Sequence, residues 1–340
     1  MPVARAPQAV GFGWPAGLAR IPDEEWTCRP LDEFGLRYDR VGSHGYYKNL
    51  DPLVAQVAAA AQDGQIVIDY SGGTGLLTGR LLDVVPARIG MVIADPSAKF
   101  LRVALENFSA DDRVAFRLLG FIRAENRLRT LGEVLGPALL DRRADILVAA
   151  NAIHLYTDLP GTLDSWHPAV RPGGLVLLNS GCLRNPAARA ADWVLDDTID
   201  RINEVIVDLV LSEPAFAKYR DNVLDGSKWM AHLSARHKVF VPLRPLQNYL
   251  DALAAAGFEV LHVTDSTIFV NLDEFCELLS IYHESVLGWV GGTRKIDGVP
   301  PAAWAVQDRL FLIRHGLEKL FPGAVEFPCN WTYVTCRRMG

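Results

Sequence analysis

Short aliphatic runs alternate along the chain with longer segments whose apolar residues recur at helical spacing. A run such as "IVIDY" suits a strand covered on both faces, as in a parallel sheet, because no side of that strand needs polar residues. Five such strands are predicted, within "IVIDYSGGTG" (66–75), "GMVIADPS" (90–97), "RVAFRLLGF" (113–121), "ADILVAANAIH" (144–154) and "RPGGLVLLNSG" (171–181). Helical patterns fill the gaps, so the alternation predicts a doubly wound, mostly parallel α/β sheet.

The alternation breaks at residues 187–240, where "ARAADWVLDDTIDRINEVIVDLVL" predicts a long amphipathic helix and no comparable strand is found. We expect this helical insertion to cover the ligand site as a lid. Its apolar stripe also permits contact with a second subunit. The stripe consists of Val194, Ile199, Ile202, Ile206 and Leu209.

Beyond residue 240 the sheet is predicted to resume with the helix "PLQNYLDALAAAG", the strand "FEVLHVTD" and a last strand "WTYVTCRR". A second helical insertion, at about 272–321, separates the two strands. The predicted division is an N-terminal extension at 1–37, a Rossmann-like ligand-binding core at 38–186, the helical insertion at 187–240, and completion of the sheet at 241–340.

The first strand runs directly into a cluster of small residues, Ser71, Gly72, Gly73 and Gly75. Without Cβ atoms, such a turn lets the backbone approach a ligand, and the free N–H groups of the following helix face it. A tight turn without a ligand is the alternative. The frame "GTGLLT" lacks the third glycine of a dinucleotide-binding fingerprint, and no lysine follows as in a phosphate-binding loop, so the turn is not built around phosphate.

Charge and composition limit the classes of molecule that the protein is expected to bind. The 340 residues carry a formal net charge of -6, which disfavours nucleic acid and anionic membranes, since both are bound largely through Lys and Arg. No apolar stretch approaches the length of a secretory or membrane segment, so we expect a soluble, cytoplasmic protein. The five cysteines are scattered without a C-x-x-C pair and indicate neither a disulfide framework nor a metal site.

The turn resembles motif I of the class I S-adenosylmethionine-dependent methyltransferases, D-x-G-x-G-x-G, as Asp69-Tyr-Ser71-Gly-Gly73-Thr-Gly75. Ser71 replaces the first glycine, a substitution that the pattern tolerates if this residue keeps φ below zero. Further segments match the family in order: Asp95 at the tip of the second strand, "LGF" after the third, "AANAIHLYTD" after the fourth and "RPGG" before the fifth. The resemblance covers roughly residues 40–185 and 245–265.

This resemblance implies a seven-stranded sheet with an antiparallel last strand, and S-adenosylmethionine as the cofactor. It places the ribose hydroxyls on Asp95 and the adenine near Gly120 and Phe121. The implied cofactor contacts are Tyr47, Asp69, Ser71, Gly72, Gly73, Gly75, Asp95, Pro96, Ser97, Gly120, Phe121 and Asn151. Simpler roles stay open for some of them: Asp69 and Asp95 as strand-end or helix-capping acids, Phe121 as a core residue and Tyr47 as a packing residue.

Methyl transfer from a sulfonium to an in-line nucleophile requires the protein mainly to position two reactants and exclude water. If the acceptor must lose a proton, His154 is the first candidate base, because it follows the fourth strand at the edge where open α/β folds bind ligands. The alternative is a structural histidine with satisfied hydrogen bonds. Predicted acceptor contacts are His154, Tyr156, Trp229 and His283, and further candidate bases are His232, His237 and His283.

The acceptor is expected by elimination to be a small organic molecule of a biosynthetic pathway, since no N-P-P-Y segment follows the fourth strand and the net charge disfavours RNA and DNA. Aromatic residues of the insertions either line its pocket or pack internally: Trp193, Tyr219, Trp229, Tyr282, Trp289 and Trp304. A homodimer or a partner protein stays open. So do non-methylating chemistry on the same fold, such as that of a cyclase, and a non-catalytic partner subunit.

Overall fold

The computed structural model describes residues 11–34 and 43–340. Parts of the predicted N-terminal extension, and residues 38–42 of the predicted core, therefore lie outside the described residues.

One sheet of seven strands forms the centre of the molecule, in the order β3-β2-β1-β6-β7-β9-β8. Its strands are β1 (Ile66–Tyr70), β2 (Gly90–Asp95), β3 (Val114–Leu118), β6 (Ala144–Ala150), β7 (Val170–Ser180), β8 (Phe258–Asn271) and β9 (Glu326–Arg338). Two further strands, β4 (Phe121–Ile122) and β5 (Arg127–Leu128), form a separate hairpin. Strands β3, β2, β1, β6 and β7 are parallel, and β9 is antiparallel to both of its neighbours. The predicted sheet and its antiparallel last strand are confirmed.

Helices cover both faces of the sheet. They are α1 (Glu25–Cys28), α2 (Asp51–Ala60), α3 (Leu76–Val84), α4 (Ala98–Phe108), α5 (Leu131–Arg142), α6 (Leu159–Trp166), α7 (Asp197–Ser212), α8 (Arg220–Leu224), α9 (Gly226–Arg236), α10 (Leu246–Ala255), α11 (Leu272–Ile281), α12 (His283–Leu287), α13 (Arg294–Asp297) and α14 (Ala303–Leu320). Short 3-10 helices lie at Leu31–Phe34, Gly45–Leu50, Ile153–Leu155 and Pro214–Tyr219. None of the described helices is long and apolar enough to cross a membrane.

The core lies on both faces of the central strands, because successive side chains of a strand point to opposite sides. Val67 and Ile93 belong to the apolar cluster on one face, whereas Ile66, Ile68 and Val92 belong to the cluster on the other. All five side chains are buried. This burial explains why the central strands carry uninterrupted aliphatic runs.

The two helical insertions, far apart in sequence, pack against each other in space. α7 lies against α14 where Gly316 has no side chain, and a Cβ there would come within 3.0 Å of Ile202 Cγ2. Ile199, Ile202 and Ile206 are fully or almost fully buried in this contact. Three of the five residues of the predicted apolar stripe are thus covered by the same chain rather than left for a second subunit.

The helix α7 begins at Asp197, later than the amphipathic pattern predicts. The preceding segment follows β9 instead, because the amide of Trp193 donates to the carbonyl of Pro328 at 2.9 Å and the amide of Asn330 donates to that of Trp193 at 2.9 Å. These long-range backbone bonds hold the start of the insertion in an extended form.

Candidate functional site

A cavity of about 1050 Å³ opens at the carboxyl ends of β1, β2 and β6. Among its lining residues are most of those predicted from the sequence: Tyr47, Asp69, Ser71, Gly72, Gly73, Gly75, Asp95, Pro96, Ser97, Phe121, Asn151 and Tyr156. Four predicted residues do not line it, namely Gly120, His154, Trp229 and His283.

The three glycines of the turn after β1 are required for different reasons. A Cβ on Gly72 would lie 2.7 Å from Asp69 Cγ, and one on Gly75 would lie 2.6 Å from Phe108 Cε2. Both glycines therefore permit close packing within the protein. Gly73 has φ +58° and no heavy atom within 4 Å of the position of a Cβ, so its bare backbone borders open space in the cavity.

Ser71 departs from the condition that the sequence pattern set for it. Its φ is +59°, in the left-handed region that favours glycine, so the condition of a negative φ is not met. Two hydrogen bonds accompany this conformation: the Ser71 amide donates to the carbonyl of Ala94 at 2.7 Å, and its hydroxyl lies 3.1 Å from that of Tyr156.

Asp95 ties the glycine turn to the neighbouring strand. Its Oδ2 accepts the Gly73 amide at 2.9 Å and its Oδ1 accepts the Ser97 amide at 2.7 Å. The cap of α4 is Ser97, whose hydroxyl accepts from the amide of Phe100. Burial raises the pKa of Asp95 to about 6. A buried, acceptor-only carboxylate therefore forms part of the cavity wall.

Asp69 lies behind the same turn and is almost completely buried. Its Oδ2 accepts a hydrogen bond from Thr78 Oγ1 at 2.7 Å, which joins the end of β1 to α3. Burial raises the pKa of Asp69 to about 6 as well. Two carboxylates thus lie beside the cavity in surroundings that disfavour negative charge.

The turn after β6 is fixed by a network of amide side chains. Asn151 has φ +53°, and its amide donates to Asn179 Oδ1 at 2.9 Å. Its side-chain nitrogen donates to Asn49 Oδ1 at 2.8 Å, while Trp331 Nε1 donates to Asn151 Oδ1 at 2.7 Å. The network holds the backbone that carries Tyr156 toward the cavity.

His154 lies on the same turn, but its ring forms bonds within the protein. Its Nδ1 is 2.9 Å from Ser180 Oγ, and Arg244 donates to its carbonyl at 3.3 Å. Burial, with the nearby charge of Arg244, lowers the pKa of His154 to about 4. The ring is therefore neutral near pH 7, and its role as a general base stays a prediction.

The predicted acceptor residues of the helical insertions lie elsewhere. Trp229 and His232 line a separate void of about 10 Å³, and His283 Nδ1 is 2.9 Å from Arg309 Nη1. Tyr282 alone, among the described residues of 187–321, lines the main cavity. Spacing could not show which aromatic residue would reach the ligand site.

A small hairpin, β4 and β5, also borders the cavity and was missed from the sequence. Its strands have two residues each, too few for a periodic pattern. The Arg129 amide donates to the Gly120 carbonyl at 3.1 Å and closes the hairpin. Phe121 is 55% exposed and lines the cavity, so it is not a core residue.

Comparison with known proteins agrees with this arrangement. No family model matches the chain. A ubiquinone/menaquinone biosynthesis C-methyltransferase from Shewanella frigidimarina is 30% identical over 137 residues, which are 40% of this chain and 49% of that protein. The enzyme of the same name from Erwinia tasmaniensis is 30% identical over 145 residues, covering 42% of this chain and 54% of the relative. Over these matched residues the chain is similar to S-adenosylmethionine-dependent methyltransferases, as the motifs of its sequence predict.

The chain spans about half the length of these two curated methyltransferases. Solved structures are similar at lower identity. The YcgJ protein of Bacillus subtilis covers 86% of this chain at 12% identity, with a TM-score of 0.47 and 99% of its own length matched. A S-adenosylmethionine-dependent methyltransferase from Geobacter sulfurreducens, solved with S-adenosylhomocysteine, covers 85% at 16% identity, with a TM-score of 0.42 and 90% of its own length matched.

Proposed function

We propose that the cavity binds S-adenosylmethionine and that the protein transfers its methyl group directly to a small organic acceptor in a biosynthetic reaction. The observation that carries this proposal is the pairing of Gly73 with Asp95. A glycine backbone that faces open space is held by a buried carboxylate at the carboxyl edge of a parallel sheet, where such folds bind their ligands.

The chemistry of the cavity wall suits an adenosine. A ribose presents two hydroxyl donors, and a carboxylate accepts hydrogen bonds only. Each oxygen of Asp95 already accepts one backbone N–H group and retains capacity for a second bond. At the hairpin, Phe121 and Leu128 expose apolar surface that the flat face of a base would cover.

The remaining space accommodates a second molecule. A volume of about 1050 Å³ lies at the upper end of the range typical of small-molecule sites, about 300–1,000 Å³. Tyr47 and Tyr282 line the cavity from outside the sheet. We assign Tyr47 to the methionine end of the cofactor, and Tyr156 with Tyr282 to the acceptor.

Tyr156 contributes a hydroxyl that keeps its proton. Burial raises the pKa of Tyr156 well above its usual value, so this group donates or accepts a hydrogen bond but does not act as a base. The protein's contribution to transfer is then to align acceptor and sulfonium and to exclude water. His154 as a general base remains part of the proposal only for an acceptor that must lose a proton.

The division into core and insertions predicted from the sequence is retained as a proposal. The second helical insertion, α11 to α14, starts and ends at the carboxyl edge of the sheet, because β8 ends and β9 begins there. We assign the direct contact with the ligand to the segment around Tyr282, and to residues 187–240 the support of that segment through α7. The curated relatives are named as C-methyltransferases of quinone biosynthesis, which supports testing electron-rich ring carbons first.

Calorimetry with S-adenosylmethionine and S-adenosylhomocysteine, with ATP as the control ligand, tests the cofactor. We expect micromolar binding of both sulfur compounds and none of ATP, because the turn lacks a phosphate-binding pattern. Labelled S-adenosylmethionine incubated with phenolic and quinone acceptors then tests transfer. Binding without transfer to any acceptor would favour non-methylating chemistry, and absence of binding would overturn the proposal.

A further inference from the structure

Three potential metal ligands from separate parts of the chain meet beside the cavity. His154 lies in the 3-10 turn after β6, Cys182 lies two residues beyond the end of β7, and Asp196 directly precedes α7. One ring nitrogen, the sulfur and one carboxylate oxygen all lie within 4.8 Å of one another. No spacing pattern predicts this group, because its members are separated by 28 and 14 residues.

Asp196 provides a second, independent observation. Among the described residues, its Oδ2 is buried without a hydrogen-bond partner that meets distance and angle criteria, and the only neighbour that interacts with the carboxyl group as a hydrogen-bonding side chain is the Cys182 thiol of the same cluster. The residue occupies the N-cap position of α7, where an aspartate normally accepts an amide of the first turn, yet its side chain makes no such bond. A buried carboxylate oxygen without a partner is costly unless something else satisfies it.

We propose that His154, Cys182 and Asp196 form a binding site for a divalent zinc ion. Nitrogen, thiolate and carboxylate are the three ligand types that zinc takes in proteins, and the thiolate disfavours magnesium and calcium. Zinc bonds of about 2.0–2.3 Å require the three donors to approach one another by about 1 Å. A water molecule completes a tetrahedral site with three protein ligands.

The state of each group fits this assignment. Burial and Arg244 lower the pKa of His154, so the ring is neutral as a ligand must be. Ser180 Oγ, 2.9 Å from Nδ1, orients that ring in the manner of an outer-sphere partner. The Cys182 thiol and the Asp196 carboxyl group are buried side by side and interact with each other, so both face the centre of the cluster.

The ion would connect the carboxyl ends of β6 and β7 to Asp196, the residue directly before α7. The three ligands do not line the main cavity. The site shares only His154 with the proposed function, and a His154 bound to zinc does not act as a general base.

Cobalt(II) titration of the full chain, after chelator treatment, tests the site because a thiolate bound to cobalt gives a charge-transfer absorption. We expect one equivalent to bind with that absorption and zinc to displace it. The Cys182→Ser variant should lose the absorption and weaken metal binding by at least about 100-fold, since even outer-sphere partners are worth about 10–100-fold. The exposed Cys28 provides the matched control, and Cys28→Ser should titrate like the wild type.

Asp196→Asn retains nearly the same shape and serves if Cys182→Ser fails to fold, as circular dichroism would reveal. This variant should keep the thiolate absorption but bind cobalt at least about tenfold more weakly. The site is refuted if the wild type shows no charge-transfer absorption, if the absorption survives Cys182→Ser, or if Asp196→Asn binds cobalt like the wild type.

Discussion

The hydroxyl oxygens of Ser71 and Tyr156 lie 3.1 Å apart and join the turn after β1 to the turn after β6. The backbone of Ser71 adopts φ +59°, a conformation that disfavours residues with a Cβ by about 1–2 kcal/mol. A hydrogen bond contributes about 0.5–1.5 kcal/mol in return. The hydrogen bond of the serine hydroxyl to Tyr156 therefore offsets part or all of the cost of the backbone conformation of Ser71.

This link predicts coupling between the two residues. Ser71→Ala and Tyr156→Phe each remove one hydroxyl without changing the backbone, and each should lower the free energy of unfolding by about 0.5–1.5 kcal/mol. The double variant should lose little more than either single one, with a coupling energy of at least 0.5 kcal/mol, about the lower limit for contacting residues. Chemical denaturation of the four proteins measures it; additive effects would mean that the hydroxyls do not interact.

Gly73 and Gly75 should respond differently to a side chain. Gly73→Ala leaves the fold intact at a cost of about 1–2 kcal/mol for its positive φ, but places a methyl group where the ligand would lie, so cofactor binding should be lost. Gly75→Ala forces a Cβ to within 2.6 Å of the Phe108 ring and should destabilise the protein more. Thermal unfolding and calorimetry separate the two effects, and a Gly73→Ala protein that binds normally would exclude the turn from the site.

The cofactor side of the cavity was predictable from the sequence because its signals are local. Asp69, Gly73 and Asp95 lie at strand ends that consecutive residues define, and parallel strands bring those ends to one edge of the sheet. The position of each residue therefore followed once the strands were recognised. The φ of Ser71 could not be predicted in this way, because it depends on hydrogen bonds to Ala94 and Tyr156, which are distant in sequence.

The residues predicted for the acceptor lie apart in the structure, because their positions depend on the packing of the insertions. Trp229 and Tyr282 are both aromatic residues of helical segments, yet the first packs near Trp289 and the second lines the cavity. No spacing rule distinguishes them. His154 was expected to face the ligand from its place after a strand, whereas its ring lies beside Ser180.

Asp95→Ala should weaken cofactor binding by about 1.5–3 kcal/mol, the range for hydrogen bonds to a charged group. Asp145 offers a matched control, because it is also buried on a strand but lies at the opposite edge, where it binds Arg171 and Arg142. Asp145→Ala should lower stability and leave the dissociation constant unchanged. Calorimetry on both variants measures these dissociation constants. Equal affinities for Asp95→Ala and the wild type would show that Asp95 does not bind the ribose.

The raised pKa values of Asp69 and Asp95 predict a pH dependence of the ligand-free protein. Both values rise from 3.8 to about 6, so between these limits the folded state holds more protons than the unfolded state. Their contribution to stability is therefore complete below about pH 4 and is lost as pH rises through about 6. Cofactor binding should show the opposite trend, because ribose hydroxyls favour the ionised acid.

At about pH 5 only about a tenth of a group with a pKa of 6 is ionised, so affinity should be about tenfold lower than at about pH 8. Calorimetry in buffers of different ionisation enthalpy should also detect proton release at about pH 5. An affinity that is constant from pH 5 to 8 would show that the cofactor does not select the ionised form.

Hydrogen exchange should identify the part of the protein that closes over the ligand. The hairpin of β4 and β5 has two residue pairs, and such a small unit is marginally stable alone. Phe121 and Leu128 expose apolar surface beside the cavity, so a bound base should cover them and slow exchange at residues 121–128.

The helix α7 should behave otherwise, because Ile202 and Ile206 are fully buried within the same chain. Its amides should be protected before ligand is added and change little afterwards, whereas the segment around Tyr282 should gain protection only when an acceptor is also present. Strong ligand-dependent protection throughout residues 197–212, with none in the hairpin, would contradict this expectation. It would show that α7 closes over the ligand and that the hairpin does not contact it.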